Sequence, residues 1–325
     1  MHYHDLHSFF IYVFFGYFLI YPAVVVSLRL FQINDPGQRM KFYLLALITP
    51  LLGFTLYHTV LAKQCQGGIF PEGPGSLIFN TFCSLGTKAI YYLGPLLVVM
   101  LFIGLLKTAA AAFFVVRIRR HAIVPHLSKR ERVVRILHEQ CSRLGMRVPE
   151  IIFSRRDGFA AFTAGLLHPV IVINAWLLSD LEDKELKAVL THELIHINRG
   201  DTLSCWLIRQ AQNIMFFSLF SKIIVDRYLL ENELLCDRET IILLGSRDEY
   251  AATLLKVWRL LIGYRDMKPE LGRGFLGSKR DMELRVVSLL EEGKGKKGEK
   301  RSVFLVGILL TALFAITVLY MGFIC

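Results

Sequence analysis

The hydrophobic positions of this chain are gathered into long, nearly uncharged runs, and most charged positions fall between them. Twenty helical residues rise about 30 Å, which matches the hydrocarbon core of a bilayer. Four runs reach this length, and each predicts a transmembrane helix: Phe9–Leu28, Phe42–Ala62, Ile90–Val116 and Val303–Phe323.

Composition and charge agree with this pattern. Hydrophobic residues make up 54% of the chain, more than is usual for a soluble domain. The net charge is +11, and Lys and Arg cluster after the third run and before the fourth, where they mark the cytoplasmic side. The sequence therefore predicts a multi-pass protein of the bacterial inner membrane, in contact with the lipid bilayer, with both termini outside. Because the basic charge flanks the spans, we do not expect direct binding to nucleic acid.

The loop between the second and third runs carries few basic residues, so it should face the outside. It contains Cys65 and Cys83, which could form a disulfide in an oxidising compartment. The alternative is that they are two unrelated thiols.

The sequence "THELIHINRGD" occupies residues 191–201, and apolar residues at helical spacing precede it. The motif is therefore predicted to lie within a helix that ends at Gly200. The start of the helix is open between two capping pairs, Ser179 with Glu182 and Asp180 with Asp183.

His192 and His196 are one helical turn apart and share a face, so their imidazoles could bind one Zn²⁺. Glu193 lies beside them and could take a proton from an attacking water, as a general base does. The alternative for two such histidines is a satisfied pair in a helical core.

A catalytic zinc site usually has three protein ligands. In "ENELLCDRE", residues 231–239, Glu233 is the best third ligand, and Asp237 lies one turn later on the same face. Asp237 could hydrogen-bond a ligating histidine. Glu231 is a rival ligand, but it points about 160° away from Glu233 around a helix.

Residues 162–201, from "FTAGLLHPVIVIN" to "THELIHINRGD", resemble the BlaR/MecR type of integral-membrane zinc metallopeptidase, and "ELLCD" at 233–237 resembles its second motif. The resemblance implies a mainly α membrane protein: a three-span membrane domain over 1–116, a cytoplasmic α+β zincin (gluzincin) domain over 117–302, and a fourth span over 303–325.

The resemblance also implies roles for single residues. His192, His196 and Glu233 would bind one Zn²⁺, Glu193 would be the catalytic base, and Asp237 would support a ligand. Asp201 matches the Asp that closes the first motif. The implied activity is cleavage of a cytoplasmic protein, such as a transcriptional repressor, or of the chain itself. The penicillin-binding sensor domain of that family is not in the sequence, so antibiotic sensing by that route is not expected.

Two other functions stay open. The HtpX and CAAX-protease type also has HExxH and a later glutamate, but it usually has Ala where this chain has Cys236. A chain of that type would be a membrane quality-control peptidase. A membrane signalling scaffold with a structural zinc is the non-enzymatic alternative, and four protein ligands would distinguish it.

The remaining predictions concern substrate. A peptide cleaved by a zincin adds as an extended strand to the edge of a sheet beside the metal. The predicted edge strand follows a partner strand or turn over 159–165, and it consists of Val170, Ile171, Val172, Ile173 and Asn174. The alternative is that 169–174 is a central strand with both edges occupied. The candidates for stabilising the oxyanion are Tyr228, Arg238 and Arg227.

Overall fold

The structure is a computed structural model that describes residues 3–56, 99, 102–110, 112–155, 159–215, 218–263 and 279–291. Its helices are α1 (Tyr3–Leu30), α2 (Pro36–Leu56), α3 (102–110 and 112–120), α4 (Leu127–Leu144), α5 (Leu177–Asp180), α6 (Asp183–Arg199), α7 (Asp201–Ile214), α8 (Leu219–Leu244), α9 (Arg247–Gly263) and α10 (Lys279–Glu291). Its strands are β1 (Glu150–Ser154), β2 (Ala161–Ala164) and β3 (Val170–Asn174).

The described residues form two compact units. Unit 1 takes residues from within 1–105 and 209–231, and unit 2 takes them from within 106–208 and 232–295. Unit 2 thus begins before the predicted boundary at 117 and leaves 209–231 to unit 1. The fourth predicted span and the two predicted disulfide cysteines lie outside the described residues.

In unit 1, α1 packs against α2. The Tyr17 hydroxyl donates to the carbonyl of Leu47 at 2.7 Å. A Cβ at Gly16 would lie 3.0 Å from the Cβ of Pro50, so glycine allows the two helices to approach closely. Of the helices in the described ranges, none is both long enough and apolar enough to cross a membrane.

Unit 2 contains a three-stranded sheet in the order β1-β3-β2. Strand β3 is parallel to β1 and antiparallel to β2. All five residues of β3 are buried, as expected for a continuous apolar run covered on both faces. This corrects the prediction that 170–174 is an edge strand. Strand β3 is central because β1 and β2 pair with its two edges, so β1 and β2 are the edge strands of the sheet.

Helices cover both faces of this sheet. On one face, Phe114 and Ile118 of α3 pack with Ile152, Phe159 and Val172. On the other face, α4, α6, α9 and α10 contribute to the main core. The packing of α3 on the sheet explains why unit 2 begins earlier than predicted.

The motif helix α6 begins at Asp183, after the N-cap residue Glu182. The backbone N–H of Glu182 donates to the Glu185 carboxylate at 2.8 Å, so Glu182 and Glu185 form the capping box. Neither predicted capping pair is therefore used. The chain instead makes the short helix α5 and becomes extended at Leu181 before α6 starts.

Gly200 ends α6 in the left-handed conformation, with φ of 68°, as predicted. Helix α7 begins at the next residue, Asp201. Residues 203–225, a further hydrophobic stretch of the sequence, are divided between α7 and α8 and do not form one helix.

Candidate metal and catalytic site

The two motif histidines direct the same ring nitrogen toward one point. Their Nε2 atoms are 3.1 Å apart. Helix α8 brings Glu233 to this point, with its carboxylate oxygens 3.5 Å from His192 Nε2 and 3.6 Å from His196 Nε2. One ligand atom from each residue lies within 4.8 Å of the other two. The three predicted ligands are thus brought together in unit 2.

His192 is supported by three residues from three different helices. Its Nδ1 lies 3.0 Å from the Tyr250 hydroxyl and 3.3 Å from Asp237 Oδ1. The Tyr250 hydroxyl donates to Asp237 at 2.5 Å. Arg285 donates to both oxygens of Asp237, at 2.7 and 2.5 Å, and its Nη1 lies 3.1 Å from Glu233. A proton on His192 Nδ1 leaves the Nε2 lone pair for a metal.

Four residues of this network, His192, Asp237, Tyr250 and Arg285, are fully buried, and charge compensation sets their protonation. Burial would raise the pKa of Asp237, but the Arg285 charge and the hydrogen bond with His192 hold that pKa well below its ordinary value. Burial would lower the pKa of His192, but Asp237 and Glu233 raise it to about 9. Burial and the Asp237 charge raise the pKa of Tyr250 well above its ordinary value, so its hydroxyl remains a donor.

His196 is supported from the junction of α6 and α7. Because Gly200 turns the chain there, Asp201 returns to His196, and its Oδ2 lies 2.8 Å from Nδ1. The Cys236 thiol lies 3.3 Å from the same nitrogen and donates to Asp201 at 3.4 Å. Burial and the Asp201 charge raise the pKa of Cys236 well above its ordinary value, so this thiol stays protonated.

Arg199, the last residue of α6, ties this side of the site to α8. It donates to the Asn232 side-chain oxygen at 2.8 Å and to Cys236 Sγ at 3.6 Å, and its Nε lies 3.5 Å from Asp201. The His196 side of the site therefore also has a guanidinium, although a more exposed one than Arg285.

Glu193 is directed toward the sheet. It is 1% exposed, and its Oε2 accepts a hydrogen bond from the Thr163 hydroxyl at 2.7 Å. Its other oxygen, Oε1, is buried and accepts no hydrogen bond from the described residues. One carboxylate oxygen is thus fixed by β2, and the other remains able to accept a proton.

The donor set suits zinc. Two imidazole nitrogens and one carboxylate are a common ligand set for a catalytic zinc, which keeps a further position open. His196, Asp201 and Cys236 form a second group of possible ligands, but they meet at Nδ1 of His196. Because Asp201 already pairs with that nitrogen, the second group supports His196.

The structure places the other predicted residues as follows. Glu231 does not join the ligands, because it is buried in unit 1 and pairs with Arg39 at 2.9 Å. Arg227 and Tyr228 also belong to unit 1, whereas Arg238 belongs to unit 2. The oxyanion role of these last three residues stays a prediction.

Four residues of the site were not predicted: Thr163, Arg199, Tyr250 and Arg285. The sequence contains a signal for two of them, Arg285 and Tyr250, because each falls on the apolar face of its helix. Arg285 lies in register with Met282 and Leu289 on α10, and Tyr250 lies in register with Leu254 on α9. A charged or phenolic group at a core position requires a buried partner.

Comparison with known proteins identifies a matching family. Residues 81–289, well over half of the chain, match the family described as BlaR1 peptidase M56. This range contains all of the residues of the site.

Curated relatives match over a shorter stretch. A protein named Protease HtpX homolog from Methylacidiphilum infernorum is 29% identical over 126 residues, which are 37% of this chain and 41% of the relative. Protease HtpX from Hydrogenovibrio crunogenus is 27% identical over 113 residues, 34% of this chain and 38% of the relative. Protease HtpX from Cellvibrio japonicus is 33% identical over 99 residues, 29% and 34% of the two chains. The chain thus spans about two fifths of the length of the first two relatives.

Proposed function

The chain belongs to the BlaR1 peptidase M56 family, and from that premise we propose that it is a zinc-dependent endopeptidase. One observation carries the proposal. The Nε2 atoms of His192 and His196 converge with the Glu233 carboxylate, and Glu193 lies next to them on the same helix.

The chain's own residues have separate tasks in this proposal. His192, His196 and Glu233 hold the metal, and zinc, when bound, polarises the scissile carbonyl and activates water. Glu193 accepts a proton from the attacking water at Oε1, the oxygen that accepts no hydrogen bond from the described residues. It then passes that proton to the leaving amine.

A structural zinc site is the main alternative, and the ligand count argues against it. Structural sites have four protein ligands. Among the described residues, the nearest further donors, Asp201 and Cys236, lie against Nδ1 of His196, whereas the three proposed ligands meet at Nε2. A fourth position is therefore left for substrate.

The substrate is proposed to bind as an extended segment along the outer edge of β2. The sheet order makes β2 one of the two edge strands, and Thr163 on this strand contacts Glu193. Main-chain hydrogen bonds at a strand edge hold many sequences, so the cleaved segment must be flexible.

The proposed substrate is a cytoplasmic protein, either a repressor or the chain itself, and the proposed location is the bacterial inner membrane. This assignment rests on the family and on the hydrophobic runs. The names of the HtpX relatives favour a second candidate, a membrane quality-control peptidase. The first predicts cleavage at one or a few sites in one protein, and the second predicts cleavage of many unfolded proteins.

The variant Glu193→Gln tests the activity. We expect it to bind one zinc per chain, because Glu193 is not a ligand, and to lose peptide cleavage by at least about a hundredfold, since the general base is gone. Zinc content by mass spectrometry and cleavage of a fluorogenic peptide library measure the two effects. His192→Ala is the matched control and should lose both zinc and cleavage. Wild-type cleavage by Glu193→Gln would contradict the proposal.

A further inference from the structure

Among the described residues, Thr163 is the one whose side chain hydrogen-bonds to Glu193, the proposed general base. Its hydroxyl donates to Glu193 Oε2 at 2.7 Å and also lies 3.3 Å from the Glu193 carbonyl oxygen. A hydrogen bond to a carboxylate is stronger than one between neutral groups, and a buried carboxylate has few other donors. The contact therefore fixes the orientation of the Glu193 side chain.

The backbone N–H and C=O groups of Thr163 point away from β3, toward the other edge of β2. The N–H of Asn174 donates to the carbonyl of Ala160 at 2.8 Å, and the register places these two residues opposite each other. Hydrogen-bonded pairs alternate along an antiparallel ladder, so Phe162 also bonds to β3. The N–H and C=O of Thr163 consequently point to the outer edge of β2, where no strand pairs with it in the described part of the chain.

The neighbouring side chain anchors the strand. Phe162 packs against Phe159, with ring centroids 4.9 Å apart, and against Phe114 of α3, at 6.4 Å. Because side chains alternate along a strand, Phe162 faces α3 while Thr163 faces α6. Thr163 is thus held between a packed aromatic cluster and the catalytic helix.

We propose that Thr163 is a positioning residue that holds Oε2 of Glu193, leaves Oε1 for the proton of the attacking water, and offers its backbone to the substrate strand. This inference rests on the proposed peptidase function. The strand that binds substrate then also holds the base, so pairing of a peptide with β2 fixes Glu193 relative to the scissile bond.

The test compares Thr163→Val, Thr163→Ser and wild type in the solubilised full chain. Valine keeps the β-branched shape and removes the donor, whereas serine keeps the hydroxyl. We expect Thr163→Val to lower kcat about 10- to 100-fold while KM changes less than about threefold. Thr163→Ser should stay within about threefold of the wild-type kcat. Thr253→Val is the matched control, because among the described residues the Thr253 hydroxyl bonds only to the Glu249 carbonyl of its own helix, and the kcat of this variant should equal that of wild type.

Binding of a peptide hydroxamate gives a readout that does not depend on turnover, because its hydroxyl donates to the general base. Calorimetry should show about 5- to 10-fold weaker binding to Thr163→Val, with zinc content unchanged. In the Glu193→Gln background, Thr163→Val should not weaken hydroxamate binding any further, since the two residues act as a pair.

The outcomes separate this inference from the function on which it rests. If wild type shows no zinc-dependent cleavage, or Glu193→Gln cleaves normally, the proposed function fails and the inference fails with it. If wild type cleaves, Glu193→Gln does not, and Thr163→Val keeps the wild-type kcat, only the role of Thr163 is overturned. Loss of zinc from Thr163→Val would likewise overturn it, by showing a role in folding the metal site.

Discussion

The two motif histidines occupy neighbouring turns of one helix, yet their surroundings differ. The His192 side chain is fully buried, and its Nδ1 meets Tyr250 and Asp237, which are also fully buried. The His196 side chain is 12% exposed, and its Nδ1 meets Asp201, which lies only five residues away along the chain. The same ligand type is therefore supported in two ways.

The difference shows how the site depends on the fold. The His192 side needs α8, α9 and α10 to be packed before Asp237, Tyr250 and Arg285 can meet. The His196 side is partly built by local chain geometry, because Gly200 returns Asp201 to the histidine. We therefore expect substitutions on the His192 side to have larger effects on folding and on metal binding.

The largest expected effect comes from the two guanidinium groups. Arg285→Met would leave the fully buried Asp237 without the guanidinium that pairs with both of its oxygens, which costs about 3–5 kcal/mol of stability. Arg199→Met loses hydrogen bonds on the more exposed side, worth about 1–2 kcal/mol in total. Thermal unfolding of the solubilised chain in EDTA measures both variants.

Arg285→Lys sharpens this comparison. It keeps the charge but loses the two parallel hydrogen bonds to Asp237, so its stability should fall between those of wild type and Arg285→Met. Equal losses in the Arg285→Met and Arg199→Met variants would show that burial of the ion pair does not distinguish the two sides.

The second effect is on zinc affinity. Asp237→Asn and Asp201→Asn each remove the carboxylate beside one of the two histidines proposed as ligands, a change that usually costs 10- to 100-fold in metal affinity. We expect about 100-fold for Asp237→Asn and about 10-fold for Asp201→Asn, because only Asp237 is fully buried and also paired with Arg285. Competition with a fluorescent chelator above about pH 9, where proton competition at His192 is weak, measures both values. The reverse order would contradict the comparison.

The third effect, about tenfold for each pH unit, is a pH dependence that belongs to the His192 side. The pKa of His192 is raised to about 9, so the metal-stripped protein holds a proton there at neutral pH. That proton stabilises the fold most below the ordinary pKa of about 6.5, and its contribution is lost as pH rises through about 9. Zinc must displace the proton, so apparent zinc affinity should rise about tenfold per pH unit between pH 6.5 and 8.5.

Asp237→Asn tests the cause of this slope. Without the Asp237 carboxylate the pKa of His192 should fall, so zinc affinity should level off at a lower pH than in wild type. Zinc affinity that is the same at pH 6.5 and pH 8.5 in wild type would show that no proton is displaced.

The ligand residues could be predicted from the sequence because they depend on short-range periodicity. Spacing of four on a helix placed His192 beside His196, and Glu233 beside Asp237, and the structure places both pairs in this way. The order of the strands could not be predicted in the same way. Strand β3 is central because β1 and β2 both pair with it. The residue pattern of "VIVIN" alone does not tell which segments will pair with this strand.

By itself, the sequence determined the motif helix, its end at Gly200 and the identity of the three proposed ligands, since each follows from side-chain chemistry and local backbone geometry. Only the tertiary structure decided which residues meet those ligands from a distance. Arg285 is 48 residues from Asp237, and Thr163 is 30 residues from Glu193. Contacts at such separations exist only after the core has packed, because burial in the core, and not local spacing, brings these side chains together.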